Sequence, residues 1–153
     1  MVARLRRKAT VNWIGSVKAG AGKLALASNA APEMSISLET RKSESAPAST
    51  SPEEMLAASH ASCFAMSVRS VLDSMAVDMP SAKDAVVNVE ATCVLAIDGT
   101  RWNIEEMILS VGITDFAGDQ IEKVLETADS RCPISGALRG SVRITKIVAG
   151  AGQ

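Results

Sequence analysis

The sequence predicts an α+β fold in which the elements run strands, long helix, strands, helix, strand. Three observations predict it: residues 33–41 alternate between apolar and polar side chains, a helix start with its capping residues lies at residues 51–54, and a turn at Asp98-Gly99 separates two further apolar segments. The 153 residues fit one domain, expected to span 1–153. Apolar residues make up 47% of the chain and charged residues 22%, which is typical of a folded protein.

The first part of the chain predicts strands. Residues 8–17 and 22–28 are two short strands around a glycine-rich turn at 19–22. Residues 33–41 are predicted as a third, half-buried strand that ends at Arg41, because Met34, Ile36 and Leu38 alternate with polar neighbours. The polar segment 42–50, rich in Ser, Ala and Pro, is predicted to be a loop.

A long helix is predicted from residue 51 to about Met75. Ser51 is a suitable N-cap, Pro52 fits the first helical position, and Glu54 at the third position completes a capping box. Behind this start, apolar residues recur with the spacing of one helical face, and they are Phe64, Val68, Val71, Leu72 and Met75.

The remaining elements follow from alternation and turn signals. A turn is expected at 78–83, then a strand at 87–97 with its odd-numbered residues on the core face, and a partner strand at 102–114. Residues 118–130 predict a second helix, which Cys132-Pro133 ends. A short turn then leads to a last strand at 141–148.

Composition argues against several classes of partner. The net charge is −1 and the Lys and Arg residues are scattered, which disfavours nucleic acid and a charged membrane surface. Aromatic residues make up only 3% and Tyr is absent, so there are no platforms for base stacking. No apolar run approaches the roughly 18 residues of a membrane span. The N-terminus lacks the apolar stretch of a secretory signal, so a cytoplasmic location is expected.

Three cysteines are candidates for chemistry. Cys63 is predicted to be largely buried in the long helix and Cys93 on the core face of a strand, where a free Cys is often a small packing residue. Cys132 follows Arg131 at the end of a helix, where backbone N–H groups and a cation favour a reactive thiolate. Buried packing is the alternative for Cys132 as well. Structural disulfides are uncommon in the expected compartment.

Three polar residues near these cysteines have ordinary explanations. Arg41 at the end of a strand is normally a solvated charge. Glu53 in the first helical turn interacts favourably with the helix dipole, and Glu54 already serves the capping box. His60 shares a helix face with Cys63, but this pair alone supplies only two metal ligands.

Two segments together resemble a known family. Residues 51–68, SPEEMLAASHASCFAMSV, resemble the helix signature of the OsmC/Ohr family of osmotically induced and organic hydroperoxide resistance proteins. Residues 130–135, SRCPIS, resemble the second-cysteine motif of that family, and the spacing between the two cysteines fits. Arg41, about ten residues ahead of the helix cap, resembles the arginine of the OsmC branch.

The resemblance implies a fold and an activity. The fold would be an OsmC-like α+β fold, with a long central helix packed by antiparallel sheets in an intertwined homodimer. The activity would be thiol-dependent reduction of hydroperoxides, with Cys63 as the peroxidatic cysteine, Cys132 as the resolving cysteine, and Arg41 with Glu53 as the pair that activates the thiolate. A dithiol would be the reductant. Leu56, Phe64 and Met66 are candidates for a substrate pocket, and no metal, flavin or nucleotide is indicated.

Helix geometry limits how Glu53 can act on Cys63. Ten residues of helix separate them by on the order of 15 Å along the axis. Either Arg41 bridges the distance, or Glu53 reaches the Cys63 of a second subunit, which is the arrangement we favour. The alternatives to an enzyme are a small-molecule or lipid-binding module with the same fold, and a metal site built from His60, Cys63 and Cys132.

Overall fold

The computed structural model describes residues 3–43 and 48–149, which form helices and two three-stranded sheets. The predicted α+β class is confirmed. Internal contacts divide the chain into a first unit, residues 1–55, and a second unit, residues 56–153. The expectation of one domain over 1–153 stays a prediction.

An antiparallel sheet forms the first unit. Its strands β1 (Ala9–Ile14), β2 (Ala21–Leu26) and β3 (Met34–Ser37) lie side by side in chain order. The predicted glycine-rich turn connects β1 to β2, and Gly22 pairs with Trp13 on one side and Ile36 on the other. A Cβ atom at Gly22 would lie 2.9 Å from the side chains of both neighbours, so the close approach of the strands depends on glycine there.

The prediction that the third strand continues to Arg41 is wrong. The strand ends at Ser37, and a short helix α1 (Leu38–Lys42) carries Arg41. The cause is a capping box: the Thr40 N–H donates to Ser37 Oγ at 3.2 Å, and the Ser37 N–H donates to Thr40 Oγ1 at 3.0 Å. Of the predicted loop 42–50, Lys42 belongs to this helix and residues 44–47 lie outside the described residues.

The long helix is α2 (Pro52–Met75), and its predicted start and end are confirmed. The Glu54 N–H donates to Ser51 Oγ at 3.1 Å, as the predicted cap requires. The Glu54 carboxylate instead accepts a hydrogen bond from Thr50 Oγ1 at 2.6 Å, so it ties the preceding residues to the first helical turn.

The second unit contains the other sheet and the shorter helices. Its elements after α2 are α3 (Ser81–Asp84), β4 (Val87–Asp98), β5 (Arg101–Ile113), α4 (Gly118–Arg131), α5 (Pro133–Leu138) and β6 (Arg143–Val148). Strands β4 and β5 form the predicted antiparallel hairpin, with Gly99 at φ +56 in its turn, and β6 pairs in parallel with β5. Two predicted turns are in fact helical, α3 and α5. Pro133 starts α5 because a proline suits the first helical position.

A hydrophobic core lies in the second unit. The predicted apolar face of α2 packs there against β5 and α4, and its residues Phe64, Val68 and Leu72 have no exposed surface. The odd-numbered residues of β4 face this core at Val87, Val89 and Ala91. The prediction fails at Ile97, which is 48% exposed and lies beyond a bulge at which β5 contributes the extra residue Glu105 opposite residues 94 and 95.

None of the helices in the described chain is long and apolar enough to cross a bilayer.

Candidate functional site

Arg41 and Glu53 form an ion pair within the first unit. The Arg41 Nε atom donates to both Glu53 carboxylate oxygens at 3.2 Å, and Nη2 donates to Oε1 at 2.5 Å. Helix α1 presents the guanidinium and the first turn of α2 presents the carboxylate. Because several N–H groups of the planar guanidinium donate to one carboxylate, Glu53 fixes the orientation of the Arg41 guanidinium.

The pair also determines the ionisation of Glu53. Burial of Glu53 raises its pKa, but hydrogen bonds from Arg41, its own backbone and Ser51, with the positive charge of Arg41, outweigh burial and leave the pKa lowered. The carboxylate is therefore ionised at neutral pH. A helix N-terminus, as here, further favours a negative charge.

Cys63 and Cys132 meet in the second unit. Cys63 lies on α2, is half-buried rather than largely buried as predicted, and packs against the core cluster that contains Cys132. Cys132 ends α4 and caps α5, and it is 2% exposed. The two thiols are close enough for each to change the pKa of the other.

Of the two thiols, Cys132 is the better placed to hold a negative charge. Burial raises its pKa, but the backbone and hydroxyl of Ser135, the Cys63 thiol and the Ile134 backbone leave it lowered. The Ser135 N–H donates to Cys132 Sγ at 3.5 Å. Burial raises the pKa of Cys63, a backbone hydrogen bond from Ile134 opposes this, and Cys132 adds to the increase.

His60 and Ser135 are buried beside this pair of thiols. Neither has exposed surface, and His60 Nε2 lies 2.9 Å from Ser135 Oγ in a hydrogen bond that joins α2 to α5. The His60 and Phe64 rings pack edge to face, with their centroids 6.2 Å apart. Burial lowers the pKa of His60, and the charge of Asp129 raises it in opposition. His60 is therefore neutral at pH 7.

Asp129 brings a buried negative charge to the same region. It is 7% exposed, and its Oδ2 atom accepts from Arg139 and Lys146, each at 3.3 Å. Burial raises the pKa of Asp129, while Ser135, Lys146 and Arg139 lower it more strongly. The carboxylate is thus ionised and paired with two cations from α5's end and β6.

The sequence-predicted residues fall into two pairs: Arg41 with Glu53 in the first unit, and Cys63 with Cys132 in the second. Asp129 was not predicted as a site residue, and Ser135 had appeared only as the last residue of the SRCPIS motif. A histidine on the inner face of a helix was the available signal, because a buried imidazole normally has a hydrogen-bond partner.

The other candidates from the sequence were a metal site, the residues of a substrate pocket and Cys93. Among residues 3–43 and 48–149, there is no group of three His, Cys, Asp or Glu side chains arranged to hold a metal ion. Of the predicted pocket residues, Phe64 is fully buried in the core, Leu56 is half-buried and Met66 is 68% exposed. Cys93 lies half-buried on β4.

Comparisons with known proteins agree on one family. The family model described as OsmC-like protein matches residues 43–146. The protein named Peroxiredoxin OsmC from Escherichia coli K12 is 24% identical over 144 residues, covering 92% of this chain and 94% of that protein.

Solved structures show the same fold. The organic hydroperoxide resistance protein OsmC from Legionella pneumophila superposes with a TM-score of 0.71 at 21% identity, covering 96% of this chain and 98% of the other. An organic hydroperoxide resistance protein from Elizabethkingia anophelis gives a TM-score of 0.75 at 19% identity, with 97% and 98% covered.

Proposed function

The chain belongs to the OsmC-like protein family, and from that premise we propose that it is a thiol-dependent peroxidase. Its substrates would be organic hydroperoxides, with hydrogen peroxide as a second candidate. The observation that supports the proposal is that Cys63 packs against the buried cluster that contains Cys132, close enough for each thiol to change the pKa of the other. Relatives named Peroxiredoxin OsmC and organic hydroperoxide resistance protein support the same class of reaction.

Cys63 is the thiol we assign to the peroxide. The lower pKa of Cys132 favours the opposite assignment, but Cys132 is 2% exposed whereas Cys63 is half-buried and more open to solvent. A peroxide must reach the sulfur before the ionisation state of that sulfur matters. We therefore assign the first reaction with peroxide to the more exposed thiol, Cys63. Because the pKa of Cys63 is raised, its thiolate requires a nearby cation for stabilisation.

Arg41 is the cation we assign to that role. Its guanidinium is oriented by Glu53, as the ion pair in the first unit indicates. A guanidinium would stabilise the thiolate of Cys63 and donate to the peroxide oxygens. Since roughly 15 Å of helix axis separates residue 53 from residue 63, we propose that the Arg41–Glu53 pair serves the Cys63 of a second subunit in a homodimer.

The reaction then runs in three steps. The Cys63 thiolate attacks the outer oxygen of the peroxide, so an S–O bond forms, the O–O bond breaks, and the departing alkoxide takes a proton to become an alcohol. The Cys132 thiolate attacks the sulfur of the Cys63 sulfenic acid, forming the S–S bond and expelling hydroxide, which is protonated to water. An external dithiol reduces this disulfide by exchange and is itself oxidised.

Mass spectrometry after one equivalent of cumene hydroperoxide tests the proposal. Reduced wild-type protein should lose two hydrogens and yield a peptide linked through residues 63 and 132. Cys132→Ser should still consume the peroxide and leave a sulfenic acid at Cys63, whereas Cys63→Ser should not react. Cys93→Ser is the matched control and should behave as wild type.

Turnover with dithiothreitol separates an enzyme from a binding module. Loss of turnover in Cys63→Ser is the expected result. Unchanged turnover in that variant would refute the mechanism, and absence of turnover in wild type would favour a small-molecule or lipid-binding role for the fold. Mixed dimers of Cys63→Ser and Glu53→Ala chains should regain activity if the arginine pair acts across subunits, and no recovery would contradict that arrangement.

A further inference from the structure

Helices α2 and α5 are joined by a buried hydrogen bond that has no part in the reaction described above. It runs between His60 Nε2 and Ser135 Oγ, which are 2.9 Å apart, and neither side chain has any exposed surface. The His60 ring is also held from its own helix, since it packs edge to face against Phe64 four residues further on. Breaking the bond would leave polar atoms buried without a partner, so α5 is firmly held against α2 at this point.

The positions of four residues relate this hydrogen bond to the cysteine pair. His60 lies three residues before Cys63 on α2, so both side chains are on one face of that helix. Ser135 lies three residues after Cys132, across the first turn of α5. Three residues forward on α2 therefore correspond to three residues back at α5, and the cysteine pair lies about one helical turn along from the hydrogen bond.

The first turn of α5 links the position of Ser135 to that of Cys132. Cys132 is the N-cap of this helix, and its Sγ atom accepts the Ser135 N–H at 3.5 Å. The Gly136 N–H donates to the Cys132 carbonyl at 2.9 Å and closes the same turn. Because these bonds connect the residues within one turn, a displacement of Ser135 would move Cys132 with it.

The other end of α5 is bonded to a different element. Arg139, which follows the helix, donates to the Asp129 carboxylate at 3.3 Å and to the Asp129 carbonyl at 3.2 Å. These bonds hold α5 to α4, so the register of α5 against α2 depends on contacts near its start. The bond between His60 and Ser135 lies at that start.

A disulfide between the two helices would tolerate little error in this register. Its two Cβ atoms must lie about 3.5–4.5 Å apart. A slip of one residue along a helix moves a side chain by about 1.5 Å and turns it through about 100°. Cys63 packs against the buried cluster that contains Cys132, and each thiol changes the pKa of the other, so the two are neighbours in the reduced protein.

We propose that His60 and Ser135 are positioning residues whose hydrogen bond sets the register of α5 against α2 and so holds the Cys132 sulfur opposite the Cys63 sulfur. Neither residue touches a peroxide in this role. The consequence for the reaction, faster closure of the disulfide, rests on the proposed peroxidase function. The alignment of the two thiols does not, because exchange with any disulfide reports it.

Equilibrium with glutathione at pH 7 measures the alignment without a peroxide. The Cys63 thiolate attacks oxidised glutathione and releases one glutathione, and Cys132 then displaces the second from the mixed disulfide. Each released glutathione sulfur takes up the proton that the attacking cysteine gave up. The equilibrium constant reports the effective concentration of one thiol at the other, which falls steeply as their geometry worsens. All proteins carry Cys93→Ser, so that only the pair reacts, and mass spectrometry of acid-quenched samples gives the fraction linked.

His60→Leu and Ser135→Ala should each lower this effective concentration by about tenfold, since each removes the bond and leaves its partner buried. The double variant should lose no more than either single variant, because all three lack the same bond. His60→Gln, whose amide group can reach the position of Nε2, should largely restore the value. His60→Asn, whose amide reaches only as far as Nδ1, should not.

Two further variants control for the loss of a hydroxyl and for the loss of stability. Ser67→Ala removes a buried hydroxyl of α2 whose hydrogen bond, to the Cys63 carbonyl, stays within that helix. Leu72→Ala opens a cavity in the core. Because the effective concentration is a property of the folded protein, both should stay near the reference value. A tenfold fall in either control would overturn the proposal, as would an unchanged value in Ser135→Ala or full recovery in His60→Asn.

Rapid-quench kinetics with cumene hydroperoxide connect the alignment to the reaction. In His60→Leu the Cys63 sulfenic acid should persist about tenfold longer before the disulfide closes, whereas its formation should keep the wild-type rate. Closure at the wild-type rate in this variant would show that the proposed role in the reaction is wrong. If wild type links with glutathione but consumes no peroxide, the peroxidase proposal fails while the alignment stands; if wild type links with neither reagent, both fail.

Discussion

The two units of the chain are stabilised by different means. Every buried hydrophobic residue of the described chain lies between Ala57 and Cys132, in the second unit. The buried residues described in the first unit are Gly22, Thr50 and Glu53, and β1 exposes all of its residues. The second unit is therefore stabilised by a packed apolar core, whereas strand pairing, a tight turn and the Arg41–Glu53 ion pair stabilise the described part of the first unit.

This difference matters for the candidate site because each unit contributes a different kind of group. The first unit supplies the charged pair, Arg41 with Glu53, and the second supplies the sulfur pair, Cys63 with Cys132. A thiol can be buried in an apolar core at little cost in free energy. A guanidinium or a carboxylate can be buried only at a high cost unless the two are paired with each other. Substitutions chosen to weaken one kind of stabilisation can test the comparison.

The largest effect is expected from a cavity in the core of the second unit. Leu72→Ala removes a side chain with no exposed surface and should reduce the free energy of unfolding by about 2–5 kcal/mol. Met66→Ala on the same helix is the control, since Met66 is 68% exposed and should change stability by less than about 0.5 kcal/mol. Urea denaturation followed by circular dichroism measures both, and equal losses would contradict the assignment of the core.

A smaller effect is expected from the turn of the first unit. A Cβ atom at Gly20 would meet the carbonyl oxygen of Ile14 and lie 2.5 Å from that of Ser16, so the backbone must move. Gly20→Ala should therefore destabilise the protein by roughly 1–3 kcal/mol. In Gly118→Ala the new methyl group has nothing within 4 Å, and this variant should not lose stability. Thermal unfolding of the two variants compares them, and an unaffected Gly20→Ala would show that the turn tolerates a side chain.

The smallest of the three effects concerns the ion pair. Glu53→Gln leaves Arg41 without its carboxylate and should cost about 1–2 kcal/mol, since Arg41 is partly exposed and screened. Asp73→Asn, which breaks the exposed pair with Arg69, should cost no more than about 0.5 kcal/mol. Peroxide turnover should fall in Glu53→Gln and stay near the wild-type value in Asp73→Asn. Equal turnover in the two variants would show that Glu53 has no role in the proposed reaction.

The same pair predicts a pH dependence. Because the pKa of Glu53 is lowered in the folded protein, its contribution is complete above the unfolded value near 4.5 and is lost as pH falls through the folded value. The stability difference between wild type and Glu53→Gln should thus be constant from neutral pH to about pH 5 and shrink below it. Denaturation series at several pH values measure this difference in the free energy of unfolding. If the difference increased as the pH fell, the pKa of Glu53 would be raised in the folded protein, which would contradict the prediction.

Local chemistry explains which elements were predictable. The start of α2 follows from Ser51, Pro52 and Glu54, and the hairpin turn follows from Asp98 and Gly99, because each involves residues within a few positions of one another. The short helix at Arg41 was missed although its signal was also local. Apolar alternation through Leu38 indicated a strand, and the Ser37–Thr40 capping box prevailed over it.

In the candidate site, too, some features follow from local sequence and others only from tertiary contacts. From the residues alone, Cys63, Arg41 and Glu53 all had ordinary structural explanations, and only the resemblance of two motifs to one family grouped them with Cys132. What the sequence by itself determined were the elements that carry these residues, since capping and periodicity act over a turn or two of chain. Only the tertiary structure decided that the two thiols meet and that His60 bonds to Ser135, because those contacts join helices α2 and α5 across the core and no local pattern encodes the pairing.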